Sequence, residues 1–272
     1  MARIIIEAGR IERQYWRDLW HFRELFYVLA WRDISVKYKQ TALGVIWAIL
    51  QPLIATVIFT VIFGKIAKIP AGGVPYPLLV MAGMLPWQFF SSSLTSSSQS
   101  LVANANLISK IYFPRMIIPA GAVITALVDF LITFSLLLIL MAWFQFVPTW
   151  RFVALPFLMV MAFVAALGPG LLLTALNVKY RDFRYIIPFL VQLGIYVSPV
   201  GFPSTVVLDQ WKWLYSLNPM VGVIDGFRWA LLDGKGGITL PSFALSLAVT
   251  VFLALLGIRY FRKTEQTFAD VI

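Results

Sequence analysis

A single carboxylate, Asp129, lies well inside the apolar runs of this 272-residue chain, and the sole histidine, His21, precedes the first of them. An ion-coupled carrier draws on acidic or histidine relays within the membrane. One isolated carboxylate offers little for a relay; the competing role is a hydrogen bond across a helix interface. The tract Ser91–Ser100 carries hydroxyls all round its helix. Ser92, Ser96 and Ser100, spaced by four, would let helices approach closely, while a second hydroxyl face would suit a wet path for a polar polymer. Nucleotide hydrolysis is not expected here. A phosphate-binding loop needs a glycine five residues before its Gly-Lys pair and Ser or Thr after it. Gly64-Lys65 and Gly234-Lys235 have Phe59 and Trp229 in that place and are followed by Ile66 and Gly236. If transport is ATP-driven, the motor is another polypeptide. Without cysteine there is no thiolate nucleophile or thiolate metal site, and no paired carboxylates stand within the spans. No catalytic or metal-binding residue is expected, nor any cofactor on this chain itself.

The elements that would hold these residues are dictated by lipid. Sixty per cent of residues are hydrophobic, mean hydropathy is +0.85, and no charge falls in 40–64, 69–109, 152–178, 185–208 or 236–258. A hydrocarbon core of about 30 Å demands such runs. They are continuous rather than alternating, which selects helices over a barrel. The expected fold is all-α and integral to the membrane, with six spans near 42–63, 78–100, 117–143, 152–176, 185–200 and 238–259. Six spans put both termini on one side. The segments on that side carry 16 of the Lys and Arg residues and the other side 6, Arg228 among them. The positive-inside bias therefore makes the termini cytoplasmic. The net charge of +10 is read as orientation signal and anionic-lipid contact, not as a nucleic-acid surface.

Two segments are neither span nor loop. In 11–36, Trp16, Trp20, Tyr27, Trp31 and Ile34 form one stripe, with Arg23 on it and Arg17, His21 and Arg32 pointing away. This predicts an amphipathic helix lying at the membrane surface. Leu25 and Leu29 fall on its far face, where a soluble partner would dock, unless the helix is a plain membrane-surface anchor. In 199–237, Pro199, Gly201, Pro203 and Pro219 interrupt a stretch rich in interfacial aromatics. One or two short helices dipping back into the outer leaflet are expected, lining or capping a cavity.

An ordered series of motifs adds to this. Trp31-Arg32-Asp33-Ile34, Lys37 to Trp47, Gln51-Pro52-Leu53, Leu85 to Phe90, Asn104 to Ile108, Lys110 to Arg115, Tyr180-Arg181-Asp182 and Leu217 to Met220 together resemble an ABC-2-type permease. The likeness runs along nearly the whole chain and is strongest to exporters of O-antigen and other lipid-linked polysaccharides. It implies one transmembrane domain over 1–272, a homodimer, and two ATPase subunits carrying ATP and Mg. It further implies a bacterial inner-membrane location and a polysaccharide carried on undecaprenyl diphosphate.

The family's interface helix would match 15–35, and its coupling helix about 102–113 within the 101–116 loop. There Leu107, Ile111, Tyr112 and Phe113 would fill an ATPase groove, with Asn104, Asn106 and Lys110 making polar contacts. Lys37, Lys39, Arg181 and Arg184, at cytoplasmic span ends, would receive the diphosphate by charge-assisted hydrogen bonds or serve topology alone. Re-entrant gate helices between spans five and six would offer Tyr196, Phe202, Trp211, Trp213, Tyr215 and Trp229 to passing sugars, unless these are membrane-belt aromatics. Two rivals stand beside this reading: an ABC-2 permease for a small amphiphile or drug, and an ion-coupled carrier centred on Asp129.

Overall fold

The computed structural model describes residues 12–39, 42–234 and 237–268, and among these all regular structure is helical. Two helices, α1 (Glu12–His21) and α2 (Arg23–Lys39), precede α3 (Ala42–Phe59), which continues as a wider π-helical turn over Thr60–Ile66. Then follow α4 (Tyr76–Ala103), the single turn α5 (Ala105–Ile108), α6 (Ile117–Trp143), α7 (Leu155–Lys179) and α8 (Phe183–Val197). The chain closes with α9 (Asp209–Tyr215), α10 (Pro219–Leu231) and α11 (Leu240–Glu265).

Four stretches are long and apolar enough to cross a membrane: Ile46–Ile66, Ile117–Trp143, Trp150–Lys179 and Leu240–Glu265. The other two expected spans differ from these for physical reasons. Helix α4 has 28 residues, ample length, but the serine tract dilutes its hydropathy. It lies at the centre of the bundle against α6, α7 and α10, so its polar face meets protein rather than lipid. Helix α8 has only 15 residues, because the chain turns at Ser198 and Pro199 before reaching span length.

The serine tract packs, but along a different seam from the one its i, i+4 spacing suggested. Ser93, Ser97, Ser98 and Ser100 are buried while Ser96 is exposed. Thr174 donates to the Ser97 carbonyl at 2.8 Å and Asn177 donates to that of Ser98, also at 2.8 Å. These bonds join α4 to α7 where no water competes for the donors.

Helices α7 and α11 meet backbone to backbone. A Cβ placed on Gly168 would lie 2.5 Å from the Ala254 Cα, and one on Gly257 would collide with the Gly168 carbonyl. In lipid, association relies on such close packing because apolar burial against lipid gains little. Gly257→Val should therefore destabilise the chain by about 1–3 kcal/mol or more through overpacking. Thermal unfolding in detergent checks this, with the outward-facing Leu256→Val expected to unfold like wild type.

The expected surface helix is two helices, broken after His21. Its aromatic stripe is outward: Trp16, Trp20, Tyr27 and Trp31 are all exposed. Helix α2 does not lie flat, however. Its Ala30 N is 4.0 Å from a Cβ built on Gly121, and seven to eight residues further along both helices Lys37 and Tyr38 reach Asp129. Equal advance means that α2 and α6 run side by side in the same direction. The far face is consequently occupied. Leu29 is buried and Leu25 packs in a second core cluster with Ile108, Phe113 and Ile117, so no soluble partner docks on those leucines.

Candidate functional site

At one end of the bundle, three segments distant in sequence are tied together by polar contacts. Arg32, on α2, donates to the Asn104 side-chain oxygen at 2.9 Å, and Asn104 donates to the Ser100 carbonyl at 2.8 Å. Asn104 thus joins the end of α4, the start of α5 and the middle of α2. Further along α2, Lys37 pairs with one Asp129 oxygen and the Tyr38 hydroxyl donates to the other. Burial, then the hydrogen bond to Asp129, pushes the Tyr38 phenol upward, so it stays a neutral donor. Both oxygens of the intramembrane carboxylate are occupied. This favours the interhelical role for Asp129 over a proton relay.

The C-terminal end of α11 completes the layer. The Arg115 N–H donates to a Glu265 carboxylate oxygen at 2.6 Å, and the Arg115 guanidinium donates to the Glu265 carbonyl. Arg262 sits over the Tyr15 ring at 4.7 Å. Burial first, then the neighbouring Glu265 carboxylate, pushes the Tyr15 phenol up. Helix α1, the 104–116 segment and α11 are thereby fastened to one another.

This fixes which coupling candidates face outward. Phe113 is buried and Leu107 half-buried within the second cluster, while Asn106, Lys110, Ile111 and Tyr112 are exposed. The expected longer helix is a single turn: it ends at Ile108, six residues before Pro114. An open hollow of about 210 Å³ lies over Ile108–Phe113 and Arg115.

The four cations proposed for the diphosphate are divided. Lys37 is engaged by Asp129, and Lys39 is exposed at the end of α2. Arg181 and Arg184 instead line a cleft of about 410 Å³ with Gln99, Val102, Asn177 and Val178. The α7–α8 turn places both guanidinium groups beside the ends of α4 and α7. A cleft with two bidentate donors and apolar walls is suited to a phosphate-bearing amphiphile.

At the opposite end, α10 is buried almost throughout. Phe202 packs on Phe63 at 6.0 Å, and Trp229 lies beneath Arg151 at 5.5 Å, with Arg151 also 3.3 Å from Asp233. Tyr215 is half-buried, while Tyr196, Trp211 and Trp213 are exposed. Of the six aromatic candidates, only these last three remain free to meet a solute or lipid.

Arg228 counts in sequence among the cations of the outer side, yet it is fully buried. Its guanidinium donates to the carbonyls of Leu79 at 3.0 Å, Phe202 at 2.9 Å and Val200 at 2.7 Å. Asp225 stands buried one turn before it. The signal was present as an Asp and an Arg three apart in an otherwise apolar helix, which calls for a specific buried partner.

An all-helical chain of this kind, with several span-length apolar helices and a polar clamp at one end, is a multi-pass membrane protein. Residues 24–232 match the ABC-2 type transporter family, and the chain belongs to it. It is 28% identical over 260 residues to the O-antigen export system permease protein RfbA of Myxococcus xanthus, covering 94% of this chain and 98% of that one. Identity to the protein of the same name in Klebsiella pneumoniae is 25% over 256 residues, covering 94% and 97%. The polysialic acid transport protein KpsM of Escherichia coli is 27% identical over 243 residues, covering 86% of this chain and 91% of its own.

Proposed function

We propose that this chain is the membrane-spanning permease of an ATP-driven exporter that moves undecaprenyl-diphosphate-linked polysaccharide, O-antigen-like, across the bacterial inner membrane. The observation that carries this is likeness over 94% of the chain to permeases named for O-antigen export. Two copies work with two ATPase subunits that hold ATP and Mg. Helices α4 and α8 complete six spans with both termini in the cytoplasm. Helices α9 and α10 form the re-entrant gate on the outer side. The loosely packed α3 and α8, with exposed Trp47, Ile54, Tyr185 and Phe189, face the second copy and the translocation path.

The cytoplasmic cleft receives the diphosphate through Arg181 and Arg184, while Lys39 adds positive potential nearby. The ATPase seats against Asn106, Lys110, Ile111 and Tyr112 of the coupling loop. Its movement passes through Asn104 to Arg32 and along α2 to Asp129, because a packed helix moves as a unit. The exposed aromatics Tyr196, Trp211 and Trp213 meet sugars at the exit.

Depleting the chain in its host and blotting surface and intracellular lipid-linked glycan tests this reading. Loss from the surface with accumulation inside is expected. Complementation with R181Q/R184Q should restore the chain but less than a tenth of the export. Unchanged surface glycan, with no redundant exporter, would turn the assignment to a small amphiphile.

A further inference from the structure

Beyond the clamp, one stripe of α11 faces away from the bundle. Phe252, Leu255 and Leu256 run along it and Arg259 and Lys263 end it; all five are exposed, and with Tyr260 they line an open groove of about 350 Å³. The opposite face, including Thr250, Gly257 and Phe261, is buried. Arg262 lies between the two cations in sequence but turns inward over the Tyr15 ring. Neither Arg259 nor Lys263 has an ion-pair partner among the described residues. Glu265, the acid closest to them on this helix, is bonded to Arg115.

The depth of this groove is marked by a second element. Tyr15 of α1 touches Arg262, so α1 crosses the end of α11 at this level and presents Trp16 and Trp20 outward. Exposed tryptophans on an amphipathic helix belong at the headgroup zone. The groove therefore changes from apolar to cationic where a phospholipid changes from acyl chain to phosphate. Arg259 and Lys263 stand four residues apart, one turn of helix, so both reach the same anion.

We propose that this groove binds an anionic phospholipid, with acyl chains along Phe252, Leu255 and Leu256 and its phosphate between Arg259 and Lys263. Charge complementarity selects this occupant over a zwitterionic lipid, since two cations without an ion-pair partner among the described residues meet a net negative headgroup. The site stands on the depth of the α11 end and not on what is exported, so it can fail while the export reading holds, and the reverse.

Native mass spectrometry of the full chain with its ATPase, in mild detergent, tests it with phosphatidylglycerol and phosphatidylethanolamine as probes. Wild type should retain phosphatidylglycerol about tenfold over phosphatidylethanolamine, and R259Q/K263Q should lose about tenfold of that retention. The charge-preserving R259K/K263R should keep it. Both residues are exposed, so thermal unfolding should be unchanged. Equal retention by wild type and R259Q/K263Q, or no preference between the lipids, overturns the proposal. Displacement of phosphatidylglycerol by equimolar undecaprenyl diphosphate overturns it too, and gives the groove to the carrier.

Discussion

Asp129→Ala is expected to lower export at least tenfold while most of the chain still reaches the membrane. The carboxylate holds both Lys37 and Tyr38 at the end of α2, and Arg32 on the same helix holds Asn104 beside the α5 turn proposed to meet the ATPase. Breaking a fully buried ion pair costs about 3–5 kcal/mol. Lys37, however, keeps 46% of its side chain exposed, so the pair is not fully buried and that part falls below the buried-pair figure, toward the ~1 kcal/mol of surface pairs. The Tyr38 hydroxyl loses its acceptor for about 1–3 kcal/mol more. A loss of roughly 2–4 kcal/mol by these terms weakens the fold without abolishing it. The motion of α2 relative to α6, by contrast, is no longer shared. Asp129→Asn keeps an acceptor for Tyr38 and should retain intermediate export. Surface glycan per unit of chain, with basal ATPase activity as the reference, reads this directly. A proton relay predicts otherwise: Asn would be as inactive as Ala, and export would collapse with the proton gradient at constant ATP.

Lipid made the spans legible. Charge-free runs of span length have one stable solution in hydrocarbon, and the four apolar spans fall where the sequence placed them. What one sequence does not carry is which face of a helix meets which neighbour. Leu25 and Leu29 read as spare apolar positions, since period alone cannot show that α6 and the segment around Ile108 and Phe113 cover them. Ser92, Ser96 and Ser100 had suitable spacing, yet the seam runs through Ser97 and Ser98, because Thr174 and Asn177 reach those backbones. The 101–116 segment read from the residues alone as a surface turn before Pro114, without the inward turn of Phe113. Arg228 shows the limit most clearly. Counting charges assigns an arginine between aromatics to the outer side of the membrane, whereas three backbone carbonyls from two other segments account for it.

Arg228→Met should be the most destabilising single substitution in the chain. Carbonyls of Val200 and Phe202 lie in the irregular turn after α8, where no helix supplies a donor, and the Leu79 carbonyl belongs to the central α4. A buried ion pair can often be exchanged for apolar residues without loss, but backbone acceptors cannot be removed with the side chain. The Val200 and Phe202 carbonyls are left without Arg228 at about 1–3 kcal/mol each while the Leu79 carbonyl keeps its place in the α4 ladder; with Asp225 losing its nearby cation besides, the loss is roughly 5 kcal/mol. For a chain of this size that corresponds to a fall of about 10–20 °C in the unfolding temperature. Arg228→Lys should lie between, since an ammonium lacks the planar fork that serves three spread carbonyls. Gly83→Ala is the companion, because its Cβ would sit 2.7 Å from the Arg228 Nη2. If the guanidinium is what Gly83 makes room for, Gly83→Ala should be costly alone and add little to Arg228→Met, the non-additivity expected of residues in contact. Thermal unfolding of the two single variants and the double in detergent measures it. Additive losses would mean that Gly83 is required by something other than this guanidinium.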